Sequence, residues 1–347
     1  KMFHADYAFF SGTSRYMRAH FKKFADAVMA SYLQDRNDPF VVELGSNDGI
    51  MLRNFAAAAI RHLGIEPSEN VAAVASEQGI ETLSAFFDSA LAERISDEHG
   101  PADAILGANV MCHIPDLNSV AAGVRKLLKP DGVLVFEDPY LGDMIEKTSY
   151  DQIYDEHVFI FSATSVARAF ASHGLELIDV EPQITHGGSM RYTLGPAGSR
   201  NASSAVAALI EKERALGLDR AETYVSFREH CEASRDGLAR LLDDLKGKAK
   251  RVAGYGATSK STTVMNYCAI TPGLIEFVSD TTPAKQGKFT PGTHVPVKPH
   301  EAFAADYPDY ALLFAWNHMT EIMEKEGAFR DAGGQWIVYV PEIRVFQ

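Results

Sequence analysis

Between Asp38 and Asp280 the chain alternates short apolar runs with longer stretches in which apolar residues return every three or four positions. Apolar runs without polar alternation mark strands buried on both faces, and the longer period marks helices packed over them. Phe40-Val41-Val42-Glu43-Leu44 predicts a strand, Gly45-Ser46-Asn47-Asp48-Gly49 a turn, and Ile50 to about Arg61 a helix. His62-Leu63-Gly64-Ile65, ending at Glu66, predicts the next strand. Ala104-Ile105-Leu106 and Gly132-Val133-Leu134-Val135-Phe136 predict two more, separated by helical periodicity from Leu117 to Leu128 and a Lys129-Pro130-Asp131-Gly132 turn. This is half of a doubly wound α/β domain. Ahead of it, Lys1 to about Leu33 opens on an aromatic stretch containing Ser and Gly, then turns amphipathic through Met17, Phe21 and Phe24.

A second unit of the same kind follows. Ala202 to Lys250 is charged, helical in period and free of proline, which predicts a helical connector. Arg251 to Tyr255 then reads as a strand, Gly256 to Ser259 as a glycine turn opening a helix, and Ile275 to Asp280 as a strand ending in an acid. Gly45 to Glu66 spans 21 residues and Gly256 to Asp280 spans 24, so both units place an acid at the distance where it reaches a ribose. The predicted plan is an arm and helix over 1–35, an α/β domain over 36–198, helices over 199–250, and a second Rossmann-like α/β domain over 251–347.

With 347 residues, a two-domain enzyme is the ordinary expectation. Lys plus Arg number 33 against 46 Asp plus Glu, a net charge of −13, which lacks the basic footprint that nucleic acid requires. At 46% hydrophobic and 23% charged the composition is that of a globular protein, not of a disordered chain. No apolar run approaches the roughly 18 residues of a membrane span, and no signal peptide is expected from the residues at Lys1 onward. The three cysteines, Cys112, Cys231 and Cys268, are far apart and form neither a disulfide framework nor a zinc ribbon, so a reducing cytoplasmic compartment is expected.

The two glycine loops differ in chemistry. The first lacks the G-x-G-x-x-G spacing that seats a pyrophosphate, and its Glu43 and Asp48 would repel phosphate. A cationic or zwitterionic adenosyl ligand fits better, and S-adenosylmethionine is the natural candidate: Gly45 and Gly49 let the backbone approach it, Asn47 or Asp48 meets its ammonium, and Glu66 takes the ribose hydroxyls. The second loop, Gly254-Tyr255-Gly256-Ala257-Thr258-Ser259-Lys260, offers amides, hydroxyls and a lysine at a helix start, a combination suited to the diphosphate of a nucleotide-linked substrate. An NAD site with Asp280 on the ribose is the rival reading there.

Candidate catalytic groups gather in Tyr150-Asp151-Gln152-Ile153-Tyr154-Asp155-Glu156-His157, shortly after Phe136-Glu137-Asp138-Pro139-Tyr140 at a strand end. A histidine near its ordinary pKa takes a proton at neutral pH, a carboxylate holds its tautomer, and a phenol donates to a developing oxyanion. His157, Tyr154 and Glu156 are therefore the candidate acid–base group, with His113 in Met111-Cys112-His113-Ile114-Pro115 at the end of the preceding strand. His186-Gly187-Gly188-Ser189-Met190-Arg191 is a further polar turn. His113, His157 and His186 have no recognisable metal-ligand spacing, and no metal is expected.

These strings, with Asp280-Thr281-Thr282-Pro283 and Phe314-Ala315-Trp316-Asn317-His318, resemble the S-adenosylmethionine-dependent C-3 methyltransferases that act on thymidine-diphosphate 4-keto-deoxysugars in antibiotic biosynthesis, of the tetronitrose and kijanose type. The resemblance covers essentially the whole chain. It implies a class I methyltransferase domain over 36–198 that also uses Asn109 for the methyl donor, and a C-terminal Rossmann-like domain that helps hold the sugar nucleotide. By the same resemblance His157 is the base that removes the C-3 proton, and Tyr7, Ser11, Tyr140, His186, Gly256, Thr258, Lys260, Asp280 and Asn317 contact the substrate. A monomer or weak homo-oligomer without nucleic-acid or membrane partners is expected.

Two departures from the family pattern stand out. Members usually carry an N-terminal cysteine-rich zinc module, and this chain starts where that module would end, so zinc is expected only if such a module lies outside it. The family's arm reads Tyr-x-Tyr-x-Ser-Ser-Gly, whereas Tyr7-Ala8-Phe9-Phe10-Ser11-Gly12 lacks the second phenol at Phe9. An O- or N-methyltransferase on a related sugar and an NAD-dependent sugar-nucleotide oxidoreductase are the alternatives.

Overall fold

The first apolar run becomes the middle of a sheet because both of its faces are covered. In the computed structural model, which describes residues 11–347, β1 (Phe40–Leu44) is buried at every position. Its Val41 packs with Phe21, Phe24 and Val28 of the helix Arg15–Val28. Phe40, Val42 and Leu44 pack into a separate core on the other face. The strands that follow are β2 (Arg61–Ile65), β3 (Thr82–Leu83), β4 (Ala102–Ala108), β5 (Leu128–Pro139), β6 (Leu175–Gln183) and β7 (Ser189–Pro196). Their spatial order is β3-β2-β1-β4-β5-β7-β6, with β7 antiparallel to both neighbours. The chain reverses its direction of travel between β1 and β4, so ligands are expected beyond the carboxyl ends of those two strands.

Two local departures from the sequence expectation have physical causes. The helix expected to Arg61 spans only Leu52–Ala57, because Ala59 adopts φ 54° and Ile60 N–H closes back on Phe55 O at 3.0 Å. This is a Schellman ending made with alanine where glycine is usual, so no glycine marks the stop. The expected Lys129–Gly132 turn lies inside β5: Leu128 pairs with Ala102 and Val133 with Ala104, and the surplus residues form a bulge. Pro130 is tolerated there because a bulge needs no ladder N–H.

The structure groups 11–140, 158–183 and 189–215 into one compact unit, and 141–157, 184–188 and 216–347 into another. The second unit holds β8 (Val252–Tyr255), β9 (Val278–Ser279), β10 (Val297–Lys298), β11 (Tyr310–Leu313), β12 (Gln335–Val338) and β13 (Arg344–Phe346). They lie in the order β10-β9-β8-β11-β12-β13, all parallel except β13, again with a reversal beside the first strand of the unit. The strand expected over Ile275–Asp280 narrows to β9, yet Ile275 and Phe277 are still buried. Tyr255, Phe303, Phe329 and Trp336 form an edge-to-face aromatic core. The expected connector forms two helices, Ser204–Leu216 and Ala221–Gly247. Among the described residues no helix is long and apolar enough to cross a membrane.

Candidate active site

In the first unit the loop after β1 turns through left-handed residues at Gly45 (φ 66°), Asn47 (φ 49°) and Gly49 (φ 75°). The glycines are also sterically required: a Cβ on Gly45 would lie 2.7 Å from Val110 Cγ2, and one on Gly49 2.8 Å from Ile80 Cγ1. Glu66, at the end of β2, accepts Asn47 N–H at 3.0 Å and Ser68 N–H at 2.8 Å. Burial pushes the Glu66 carboxyl up, and these N–H groups oppose the rise. Glu43 is fully enclosed, with Oε2 lacking a hydrogen-bond partner. Burial first, and then the charges of Glu66 and Asp48, hold its pKa well above the ordinary carboxylate range. Asp48 and Glu66, with the buried Glu43 carboxyl beside them, favour a cation and repel a phosphate.

Ser11 N–H donates to Asn47 Oδ1 at 2.9 Å, and Gly12 N–H to Asp48 Oδ2 at 2.9 Å. Ser11 is thus held on the loop expected to bind the methyl donor. Tyr7 and Phe9 lie outside the described residues. Asn109, the first residue after β4, takes φ 54° and donates its N–H to Glu137 O at 2.7 Å. Its neighbour Val110 is the side chain against which Gly45 packs. The expected set Glu43, Gly45, Asn47, Asp48, Gly49, Glu66 and Asn109 therefore gathers at the switch point between β1 and β4.

The end of β5 carries acids of two kinds. Glu137 accepts from His20 Nε2 at 2.5 Å and Arg191 Nη2 at 2.8 Å, while Arg191 stacks on Phe24 and pairs with Glu181 at 3.0 Å. That network ties the helix Arg15–Val28 to the sheet. Asp138 is wholly buried, and its pKa is pushed up to about 7 by burial. The Cys112 side chain and the Met111 and Cys112 N–H groups oppose this without closing hydrogen bonds of ordinary length. Asp138 is a candidate functional residue that sequence reasoning passed over, although the adjacent acids at a strand end were its signal. His113 ends the turn Met111–His113 directly after β4. Tyr140 is buried in the core of this unit and bridges Phe161.

The second unit contains His157 and His186. His157 Nδ1 lies 2.7 Å from Gln152 O. A carbonyl only accepts, so Nδ1 carries the proton and Nε2 carries the lone pair of the neutral ring. Tyr154 lies over the same imidazole, with ring centroids 4.0 Å apart. Glu156, next to His157, is half-buried. Asp151, fully buried, accepts from Trp316 Nε1 at 2.6 Å and Tyr339 Oη at 2.8 Å. Burial raises its pKa, and Lys260, Trp316 and Tyr339 oppose the rise. The partners Trp316 and Tyr339 had no role in the sequence reading; Trp316 sits beside the expected substrate residue Asn317 in the turn Trp316–His318.

His186 adopts φ 55°, with Gly187 and Gly188 at φ 90° and 138°. The loop is pinned by two lysines: Lys260 Nζ donates to His186 O at 3.2 Å and Lys147 Nζ to Gly187 O at 2.7 Å. Lys260, expected on a phosphate, is only 7% exposed, sits 5.7 Å from the Trp316 ring centroid and has its pKa lowered by burial. Its place under the loop keeps the ammonium on the His186 carbonyl. Thr258 caps the helix Ser259–Tyr267 by accepting Ser261 N–H at 3.1 Å, beside Gly256 at φ 91°. Asp280 accepts Ala257 N–H and Thr282 N–H, each at 2.8 Å, and faces Lys285 at 3.5 Å.

Two family models match the chain in succession. Residues 15–180 match a methyltransferase domain, and residues 184–341 match a C-methyltransferase C-terminal domain. The chain is 39% identical to the C-methyltransferase NovU of Streptomyces niveus over 306 residues, covering 88% of this chain and 73% of that protein. A shorter match, 32% identical over 97 residues, covers 27% of this chain and 41% of a ubiquinone biosynthesis O-methyltransferase of Methylococcus capsulatus. Among solved structures, the PH0226 protein of Pyrococcus horikoshii aligns at 18% identity with a TM-score of 0.42, covering 55% of this chain and 95% of that one.

Proposed function

Because the chain belongs to the S-adenosylmethionine-dependent C-methyltransferases, we propose that it methylates C-3 of a TDP-linked 4-keto-deoxysugar through an enolate formed by His157. The observation that carries this reading is the 2.7 Å bond from His157 Nδ1–H to Gln152 O, which presents Nε2 as a base. A proton beside a ketone is acidic enough for an imidazole to remove, whereas a hydroxyl or amine would attack without an enolate.

The first-unit loop fits the donor. Asp48 and Glu66 supply negative charge, and the unpartnered Oε2 of Glu43 and the spare lone pairs of Glu66 offer polar contacts to the donor's ammonium and ribose hydroxyls. When bound, S-adenosylmethionine supplies an electrophilic methyl group on a sulfonium. Nε2 of His157 takes the C-3 proton, leaving its electron pair delocalised onto the 4-keto oxygen. Tyr154 and His113 are assigned to the reacting sugar, and Glu156 to the charge balance of the protonated imidazole. Gly256, Thr258 and the start of the helix Ser259–Tyr267 are assigned to the diphosphate, with Lys260 acting through the His186 carbonyl. A reducing cytoplasm is the compartment where such a substrate would be made.

The test is deuterium exchange. In D₂O without methyl donor, wild-type protein should exchange the C-3 proton of a TDP-4-keto-deoxysugar and His157→Gln should not. With the donor present, NMR should find the new methyl on carbon. Methyl on oxygen or nitrogen, or exchange equally fast in His157→Gln, would overturn the reading.

A further inference from the structure

One indole in the second unit touches both loops that carry His157 and His186. Trp316 Nε1 donates to Asp151 at 2.6 Å, and Asp151 immediately precedes Gln152, whose carbonyl fixes the His157 tautomer at 2.7 Å. The six-membered ring of Trp316 underlies the other loop so closely that a Cβ on Gly187 would lie 2.1 Å from Cη2. Lys260 completes the set, with its ammonium over the indole and on His186 O.

We propose that Trp316 and Asp151 are positioning residues, which hold the Gln152 carbonyl against His157 Nδ1 and keep the His186 loop in place. The inference rests on His157 being the base of the proposed reaction. Asp151 is fully buried, so it cannot exchange a lost donor for water, and a buried carboxylate that loses a partner moves or takes a proton. Either response shifts the adjoining Gln152 peptide. The imidazole then loses the bond that selects its tautomer, and the Nε2–H form, which is not a base at Nε2, gains population. The diphosphate contacts assigned to Gly256 and Thr258 do not pass through this bond, and a ring kept beneath Gly187 leaves the His186 loop supported. Loss of the pair should therefore lower kcat and leave KM for the sugar nucleotide nearly unchanged.

The variants separate the parts. Trp316→Phe keeps a ring under Gly187 but removes the N–H. Asp151→Ala removes the acceptor, and Asp151→Asn keeps an oxygen able to accept from Trp316 and Tyr339. Expected are a fall in kcat of about 10- to 100-fold for Trp316→Phe and Asp151→Ala, KM within about threefold, and substantial rescue in Asp151→Asn. The double variant Trp316→Phe/Asp151→Ala should be little worse than either single one, because both cut the same link. ¹⁵N-histidine NMR on the full chain reads the His157 tautomer without turnover: the Nδ1–H form should dominate in wild type and lose ground in Trp316→Phe. S-adenosylhomocysteine affinity, which belongs to the first unit, serves as the folding control. An unchanged tautomer in Trp316→Phe, or a rise in KM at constant kcat, would overturn the proposal. Because the tautomer is read without substrate, a failure of the C-3 chemistry would be seen separately.

Discussion

Asp138 makes the stability of the first unit depend on pH in a direction opposite to that of most acids. Its carboxyl is wholly buried, with a pKa near about 7 in the folded protein, against about 3.9 when the chain is unfolded. The folded state therefore holds a proton that the unfolded state releases between these values. The contribution is fully favourable below about pH 4, declines as pH rises, and is lost by the time pH passes the folded pKa. Integrating between the two pKa values gives a total near 4 kcal/mol, of which about 2.5 kcal/mol falls between pH 5 and pH 8.5. Asp138→Asn keeps a neutral acceptor toward Cys112 and cannot ionise. Its stability relative to wild type should rise by about that amount from pH 5 to pH 8.5. Urea unfolding followed by circular dichroism at the two pH values measures this, with amide exchange of β4 and β5 as the local readout. Trp316 and Trp336 both lie in the second unit, so tryptophan fluorescence supplies a separate trace. If the wild-type and Asp138→Asn curves keep the same spacing at both pH values, burial does not hold a proton on Asp138.

Three further outcomes follow from particular contacts. Glu66→Ala removes the acceptor of Asn47 N–H and Ser68 N–H and should weaken S-adenosylhomocysteine binding at least about tenfold by calorimetry; unchanged affinity would place the donor elsewhere. Glu213 accepts from Ala163 N–H, Thr164 N–H and Thr164 Oγ1 at 2.6–2.9 Å from a buried position at a helix start. Glu213→Ala should destabilise the first unit by about 2–4 kcal/mol in urea unfolding, and a loss under about 0.5 kcal/mol would mean that water replaces the carboxylate. Ala249 ends the helix Ala221–Gly247 at φ 53° while Lys250 N–H closes on Leu245 O at 2.9 Å. Ala249→Gly should raise stability by about 1 kcal/mol, visible as a higher Tm of the tryptophan transition.

The strands at the centre of each sheet were legible because burial on both faces leaves a short apolar run without polar alternation, as in Phe40–Leu44, broken only by Glu43, and in Val252–Tyr255. Helix ends were less so, since Ala59, Ala249 and Ala269 all take the left-handed position that glycine normally announces. Edge elements such as β3, β10 and β13 are too short to carry a period. At the candidate site, the glycine loops and the His157 stretch stood out by composition, but the partners of Asp151 did not. Trp316 and Tyr339 are 165 and 188 residues away along the chain, and only the fold of the second unit brings them to it. Lys260 shows the same limit: at a helix start it reads as a phosphate ligand, and only the fold shows it buried with its ammonium on the His186 carbonyl.

The acid that ends the second strand of each unit has a structural task before any ligand arrives. Glu66 accepts the N–H of Asn47 at 3.0 Å, and Asp280 accepts the N–H of Ala257 at 2.8 Å. Each thus ties its strand to the neighbouring glycine loop, so the strand-to-acid spacing seen in the sequence reports loop closure in both units. What separates the two loops is the charge around that shared bond. Beside Glu66 stand Asp48 and Glu43, and the like charges of Glu66 and Asp48 help raise the pKa of Glu43. Beside Asp280 stands Lys285, 3.5 Å away, with its ammonium also donating to Ala257 O at 2.8 Å. The first loop is left electron-rich and draws a cation; the second is neutralised and leaves the helix start at Thr258 able to face an anion. One backbone device is thus built twice with different charge around it, which is what the proposed division between a sulfonium donor and a phosphorylated substrate requires.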